Sequence, residues 1–292
     1  MRGALAALVT SAVLSRTGSR PSGPGMTRTN HAERPVSLWE GPAVVLGLLA
    51  GATSAQLFAA VSGAALAGAL DDHGRASSAK GLTGHLRELR HGRVTTGTGK
   101  LLLLTATGVS ASLLGEPERT RRGSAVPHWP RRSWLDRLSY AALVAGCANL
   151  TNLLDLRPGR ALKTVLLTAL PLLGTSRTAS NRPGPHGRGT GQGPRRRPAA
   201  DTTGSAGVVL GAAAAALADD LTARTMLGDT GANALGAATG VALSEGCGRR
   251  GRLVALAVVT ALTLASERVS FTAVIGRTPV LRELDAWGRT VA

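Results

Sequence analysis

Three acidic motifs hold the residues best suited to chemistry. Asp71 and Asp72 stand side by side at the end of an apolar run, AALAGALDD. Asn149, Asn152 and Asp155 follow at a spacing of three in NLTNLLD, and Asp229 lies in GDTGANALG, residues 228–236. Adjacent carboxylates repel, and ionising both beside apolar surface is costly. A divalent cation or a cationic partner would offset that cost. Magnesium suits such a place, because it takes a few carboxylates, several waters and substrate phosphates. The spacing of Asn149, Asn152 and Asp155 puts them near one helix face, where two amides and a carboxylate can bond a base, a sugar or a phosphate-bound water. The glycines around Asp229 allow tight turns and close approach. Because that motif opens an apolar run, its helix N–H groups suit a phosphate. The plainer account makes each acid a helix cap or a solvated end; it explains one motif better than three.

The elements that must position these residues are apolar. Apolar stretches cover residues 1–17, 41–70, 99–115, 134–150, 161–175, 203–219, 230–246 and 252–270. The second is too long for one span, and GATSAQ at 51–56 divides it, giving nine helices. Runs of about 12–17 residues reach only about 18–26 Å, short of a hydrocarbon core of about 30 Å. Residues 1–17 fit a signal peptide or a short first membrane helix; the apolar runs that follow favour the helix. Counted from there, all three acidic motifs fall on one side of the membrane. The fold expected is an all-α polytopic bundle of about nine transmembrane helices. It forms a single integral membrane domain over residues 1–292, with a Gly/Pro/Arg-rich loop at 176–200 and a cytoplasmic tail at 271–292.

Composition agrees. Aromatics are only 2% of residues while Ala, Gly and Leu abound, which suits helices packed closely in a bilayer. The net charge is +17, yet the arginines lie in loops rather than along one helix face or beside stacking aromatics. That pattern argues against nucleic acid and for anionic lipids or nucleotides. The loops at 18–40 and 71–98, on the motif side, are basic, which places that side in the cytoplasm. The opposite loops at 116–133 and 176–200 are Arg-rich as well, so charge alone decides little. Cys147 and Cys247 stand apart from each other and from any His cluster, and read as buried thiols. TTGTGKL at 95–101 lacks the spacing of a Walker-type phosphate loop. Asp219-Asp220 reads as a helix end on the motif side.

Taken in order, Asp71-Asp72, then Ser78-Ala79-Lys80, then Asn149-x-x-Asn152-x-x-Asp155, then Gly228-Asp229-Thr230-Gly231 with Leu235-Gly236, the chain resembles the polyprenyl-phosphate N-acetylhexosamine-1-phosphate transferases. That superfamily includes the phospho-MurNAc-pentapeptide and phospho-GlcNAc transferases of cell-wall, peptidoglycan and surface-glycan synthesis. The segment TNHAERPVSLWEGPA at 29–43 is similar to the family's stretch after its first helix, and the resemblance spans most of residues 29–246. It implies a multi-pass plasma-membrane enzyme that moves a phospho-sugar from a UDP-sugar to polyprenyl phosphate at the cytoplasmic face, with Mg²⁺, releasing UMP. By position Asp229 is the metal ligand. Asp71 and Asp72 bind or activate the lipid phosphate or help hold the metal, and Lys80 meets phosphate. Asn149, Asn152 and Asp155 line the nucleotide side. The tail SERVSFTAVIGRTPVLRELDAWGR, 266–289, lacks the family's histidine-rich loop. In its place Arg268 and Arg277 contact phosphate, or else hold the tail against acidic headgroups. A homodimer is left open. The alternative is a non-catalytic membrane relative that binds a lipid-linked precursor or a partner protein; a transporter would put its acids in mid-helix.

Overall fold

The computed structural model describes residues 1–17, 25–30, 33–72, 84, 87–88, 90–92, 95–114, 134–174 and 202–290. The 176–200 loop and Ser78-Ala79-Lys80 lie outside them. Among the described residues the chain is mostly helical, with 11 helices and one small hairpin.

The order is α1 (Arg2–Thr17), β1 (Thr27–Thr29), β2 (Pro35–Ser37), α2 (Glu40–Gly51), α3 (Ala55–Asp72), α4 (Thr96–Leu113), α5 (Trp134–Leu154), α6 (Arg160–Ala169), α7 (Thr202–Leu221), α8 (Gly228–Gly246), α9 (Arg249–Ser266), α10 (Phe271–Arg277) and α11 (Pro279–Ala286). The nine apolar runs of the sequence become α1 to α9, with the break at 51–56 where GATSAQ places it. Several helices run past the apolar residues that announce them. Helix α5 continues to Leu154, so Asn149 and Asn152 are helical and Asp155 follows its end. Local signals set the starts: the Ser54 and Thr95 hydroxyls accept from the N–H groups of Leu57 and Thr98, capping α3 and α4.

Helix α8 is the axis of the bundle. Its residues from Gly231 to Val241 are all buried, and it packs on α2, α3, α5, α6 and α7. Small residues make this possible. A methyl at Gly236 would lie 2.7 Å from the Ala148 Cα, and one at Gly240 would lie 2.7 Å from the Val144 Cα, so α8 and α5 touch almost backbone to backbone. The same glycines and threonines lower the mean hydropathy of buried helices. By length and composition, α7 alone among the described residues carries a span-like window, Gly204–Leu221; α9 and α10 pass together as a pair bent by 97°. Large apolar side chains nevertheless face outward on several helices, including Phe58, Leu66, Leu102, Leu167, Val254 and Val258.

One end of the bundle gathers the C-terminal ends of α3, α5 and α7, the N-terminal ends of α2, α4, α6 and α8, and the β-hairpin. At the start of α5, Asp136 accepts from Arg252 of α9 at 2.9 Å, while Ser139 accepts from the same guanidinium at 3.1 Å.

Candidate functional site

Asp71 and Asp72 meet Asp229, which lies 157 residues beyond Asp72, at the crossing of α3 and α8. The crossing is tight because Gly68, one turn before Asp72, lies against the Asp229 backbone with no room for a side chain. Gly228 completes the approach. Its φ of +60° belongs to glycine, and a Cβ there would stand 3.3–3.4 Å from both Asp72 carboxylate oxygens.

Asp72 is spent on α8. Its Oδ1 accepts from the Asp229 N–H at 3.1 Å, and its Oδ2 accepts from the Thr230 N–H at 2.9 Å and the Thr230 hydroxyl at 2.7 Å. A carboxylate from one helix thus caps another and meets the positive end of its dipole. Asp72 positions Asp229 rather than facing a ligand.

Asp71 and Asp229 share a cation. Lys100, in the first turns of α4, donates to Asp229 Oδ1 at 2.5 Å and to Asp71 Oδ2 at 3.1 Å, with its side chain only 9% exposed. Arg28 of β1 approaches from the other side, 3.3 Å from Asp72 Oδ1 and 3.6 Å from Asp229 Oδ2. Of the two remedies for adjacent carboxylates, a divalent cation or a cationic partner, the fold displays the second. Sequence reasoning passes over both cations. Helix parity would have found Lys100, since α4 begins on the motif side; Arg28 lies just outside the 29–43 segment.

Beside this cluster is a cavity of about 380 Å³ lined by Arg28, Thr29, Asn30, Asn152, Asp155, Leu156, Met226, Gly228 and Asp229. Asn152 and Asp155 therefore meet Asp229 at the end to which helix parity assigns both motifs, while Asn149 lies a turn back along α5. Burial, and then the negative charges of Asp220 and Asp229, raise the Asp155 pKa well above the usual carboxylate value; a hydrogen bond from the Gly228 backbone pulls the other way. A smaller void of about 30 Å³ continues from Asp155 to Asp220 and Thr225. Asp220 is buried and accepts from the Gly159 N–H at 2.8 Å, which holds the turn between α5 and α6. Thr225 donates to buried Glu40 at 2.6 Å, tying α2 to the turn that delivers Asp229.

Arg268 and Arg277 are exposed and line neither cavity. The tail is instead latched elsewhere. Asp285 of α11 takes a two-pronged bond from Arg160 at 2.8 and 3.0 Å, and Arg289 lies 2.8 Å from it. Lys163 donates to the carbonyls of Leu284, Asp285 and Trp287 at the end of α11.

Asp229 and Asp71 fit magnesium in kind. They offer hard carboxylate oxygens, and Asp229 faces a polar cavity with room for water and phosphate. No group of three or more Asp, Glu, His or Cys side chains is placed to hold a metal among the described residues. A metal here would draw the rest of its ligands from water and substrate. Comparison with protein-family models, curated proteins and solved structures finds no match for this chain.

Proposed function

We propose that the protein is a membrane-embedded transferase that moves a phospho-sugar from a UDP-sugar to polyprenyl phosphate and releases UMP. One observation carries the reading: Asp155 and Asp229 line one polar cavity at one end of a helical bundle, and beside it Lys100 ties Asp229 to Asp71. Outward-facing Phe58, Leu102, Leu167 and Val258 support a bilayer around α1–α9, since soluble monomers rarely leave so much large apolar surface in water. On this reading the motif end faces the cytoplasm, where UDP-sugars are made.

Phosphoryl transfer needs positioning and charge neutralisation more than covalent help from the protein. Asp229 and Asp71 would hold Mg²⁺. When bound, the ion polarises the transferring phosphate and neutralises charge developing on the leaving UMP. Lys100 carries a fixed positive charge to the same carboxylates. Asn152 and Asp155 orient the nucleotide, with Asn149 supporting from the turn behind. A bond forms between an acceptor phosphate oxygen and the sugar-bearing phosphorus, while the bond from that phosphorus to the bridging oxygen breaks, the oxygen and the electron pair leaving with UMP. Lys80 is assigned to phosphate by its motif alone. The test is mass-spectrometric detection of the lipid diphosphate-sugar after incubation with Mg²⁺, decaprenyl phosphate and a panel of UDP-sugars. Product with one donor supports the reading; none from any donor, with folded protein, rejects it.

A second reading is favoured by the ion pairs themselves. Lys100 and Arg28 already neutralise the acids without a metal, as a non-catalytic relative that binds a lipid-linked precursor would require. Binding of the precursor without turnover would select it.

A further inference from the structure

We infer that Arg28 is the arm that grips the diphosphate of a nucleotide ligand in the 380 Å³ cavity. The inference rests on the transferase reading and names a further positioning residue for it.

The cations of the site are unequally committed. Lys100 is buried and held at 2.5 and 3.1 Å by two carboxylates. Arg28 stands 3.3 and 3.6 Å from its own, with its side chain 42% exposed. Charge-assisted hydrogen bonds of full strength lie at about 2.7–2.9 Å, so the Arg28 contacts are loose. Its partners also have other donors. Asp72 has both oxygens taken by the Asp229 and Thr230 N–H groups and the Thr230 hydroxyl. Asp229 has Lys100 on its other carboxylate oxygen, Oδ1.

Nor is the side chain needed to hold its own strand. Arg28 pairs with Val36 across the hairpin. The next residue of β2, Ser37, donates to the Arg224 carbonyl at 3.0 Å and accepts from the Met226 N–H at 3.0 Å, and Leu38 donates to the Met26 carbonyl at 2.9 Å. Backbone bonds thus fix β1 beside Asp229, and the guanidinium is left over on the wall of a polar cavity.

A guanidinium on a fixed strand presents a planar fork, which matches phosphate oxygens better than an ammonium does. The phosphate served is that of the ligand lodged between Asn30 and Asn152. An isoprenoid chain needs an apolar wall, and the apolar cavity of about 290 Å³ lies elsewhere, between α6, α7 and α11. When a diphosphate enters, Arg28 exchanges two long contacts with carboxylates for short ones with phosphate.

Calorimetric titration of the full chain in detergent, with Mg²⁺, tests this using UDP, inorganic pyrophosphate, uridine and a short polyprenyl phosphate. Arg28→Ala is expected to weaken UDP and pyrophosphate by about tenfold, the scale of one lost charge-assisted contact. Uridine and lipid phosphate should bind as before, and Arg28→Lys should lie between. Unchanged UDP affinity in Arg28→Ala overturns the inference alone. So does an equal loss of uridine, which marks a structural role, or a loss confined to lipid phosphate. Failure of the unaltered protein to bind UDP overturns it together with the donor side of the transferase reading.

Discussion

Replacing Lys100 with Met asks whether the acidic site is built to take a divalent cation. The change keeps most of the side chain's length and removes the ammonium between Asp71 and Asp229, both its charge and its two hydrogen bonds. Both acids touch the same ammonium, so their facing oxygens are close. Two unit charges about 5–6 Å apart repel by about 3 kcal/mol at an effective dielectric near 20. The Asp71 and Asp229 side chains are 27% and 15% exposed, and water screens part of that repulsion. A net destabilisation of about 1–3 kcal/mol is expected, a cost below that of breaking a fully buried pair. Each kcal/mol corresponds to about 2 °C in a chain of this size. Thermal unfolding in detergent, with and without Mg²⁺, is the assay. The unaltered protein should gain little from magnesium, because Lys100 competes for the carboxylates. Lys100→Met should start lower and recover, since a ligand at a hundred times its Kd contributes about 2.7 kcal/mol to the folded state. Adding Asp229→Asn should abolish the recovery. A variant that melts lower and stays low at every magnesium concentration would refute the reasoning and leave Lys100 a structural clamp.

Two further outcomes follow from single contacts. Asp72→Ala strips three hydrogen bonds from the start of α8 and should cost about 1–3 kcal/mol, with Asp72→Asn recovering part of it, measured by urea unfolding. Burial alone would raise the pKa of Asp285, but hydrogen bonds from Arg160 and Arg289 outweigh it and leave the pKa below the usual value. A depressed folded pKa gives stability that is present above the ordinary carboxylate pKa and lost as pH falls through the lower, folded one. The α10–α11 tail should therefore stay protease-resistant at neutral pH and be released in acid, while Asp285→Asn releases it at every pH.

The apolar runs were enough to place nine helices, because segments of Ala, Leu and Val with few polar breaks have little else to form. The turn at 51–56 was readable from Gly, Thr and Ser. Helix parity was enough to bring Asp71, Asp155 and Asp229 to one end, since antiparallel neighbours alternate. The partners of those acids were hidden. The Lys100–Asp229 pair spans 129 residues, and nothing within TTGTGKL itself marks its lysine as the partner of so distant an acid. Which of two adjacent aspartates would cap α8 depends on the rotation of α3, which Gly68 sets by close approach and no periodicity reveals. Asp220, read as a plain helix end, is buried against the Gly159 turn because Pro158-Gly159 folds that turn back onto α7. Arg268 and Arg277 follow an analogy of charge alone, whereas the tail closes on the start of α6 through Asp285 and Arg160 and on the turn before it through Arg289 and the Pro158 carbonyl.

The most direct test of the central claim is the initial rate of UMP release by purified protein with its preferred UDP-sugar, comparing the unaltered chain with Asp229→Asn. The account predicts release that requires both Mg²⁺ and polyprenyl phosphate and falls by at least about a hundredfold in the variant, the scale seen when one preorganised electrostatic group is removed from an active site. Release that continues undiminished in folded Asp229→Asn would contradict it, because the convergence of the three motifs on Asp229 would then have no part in the chemistry.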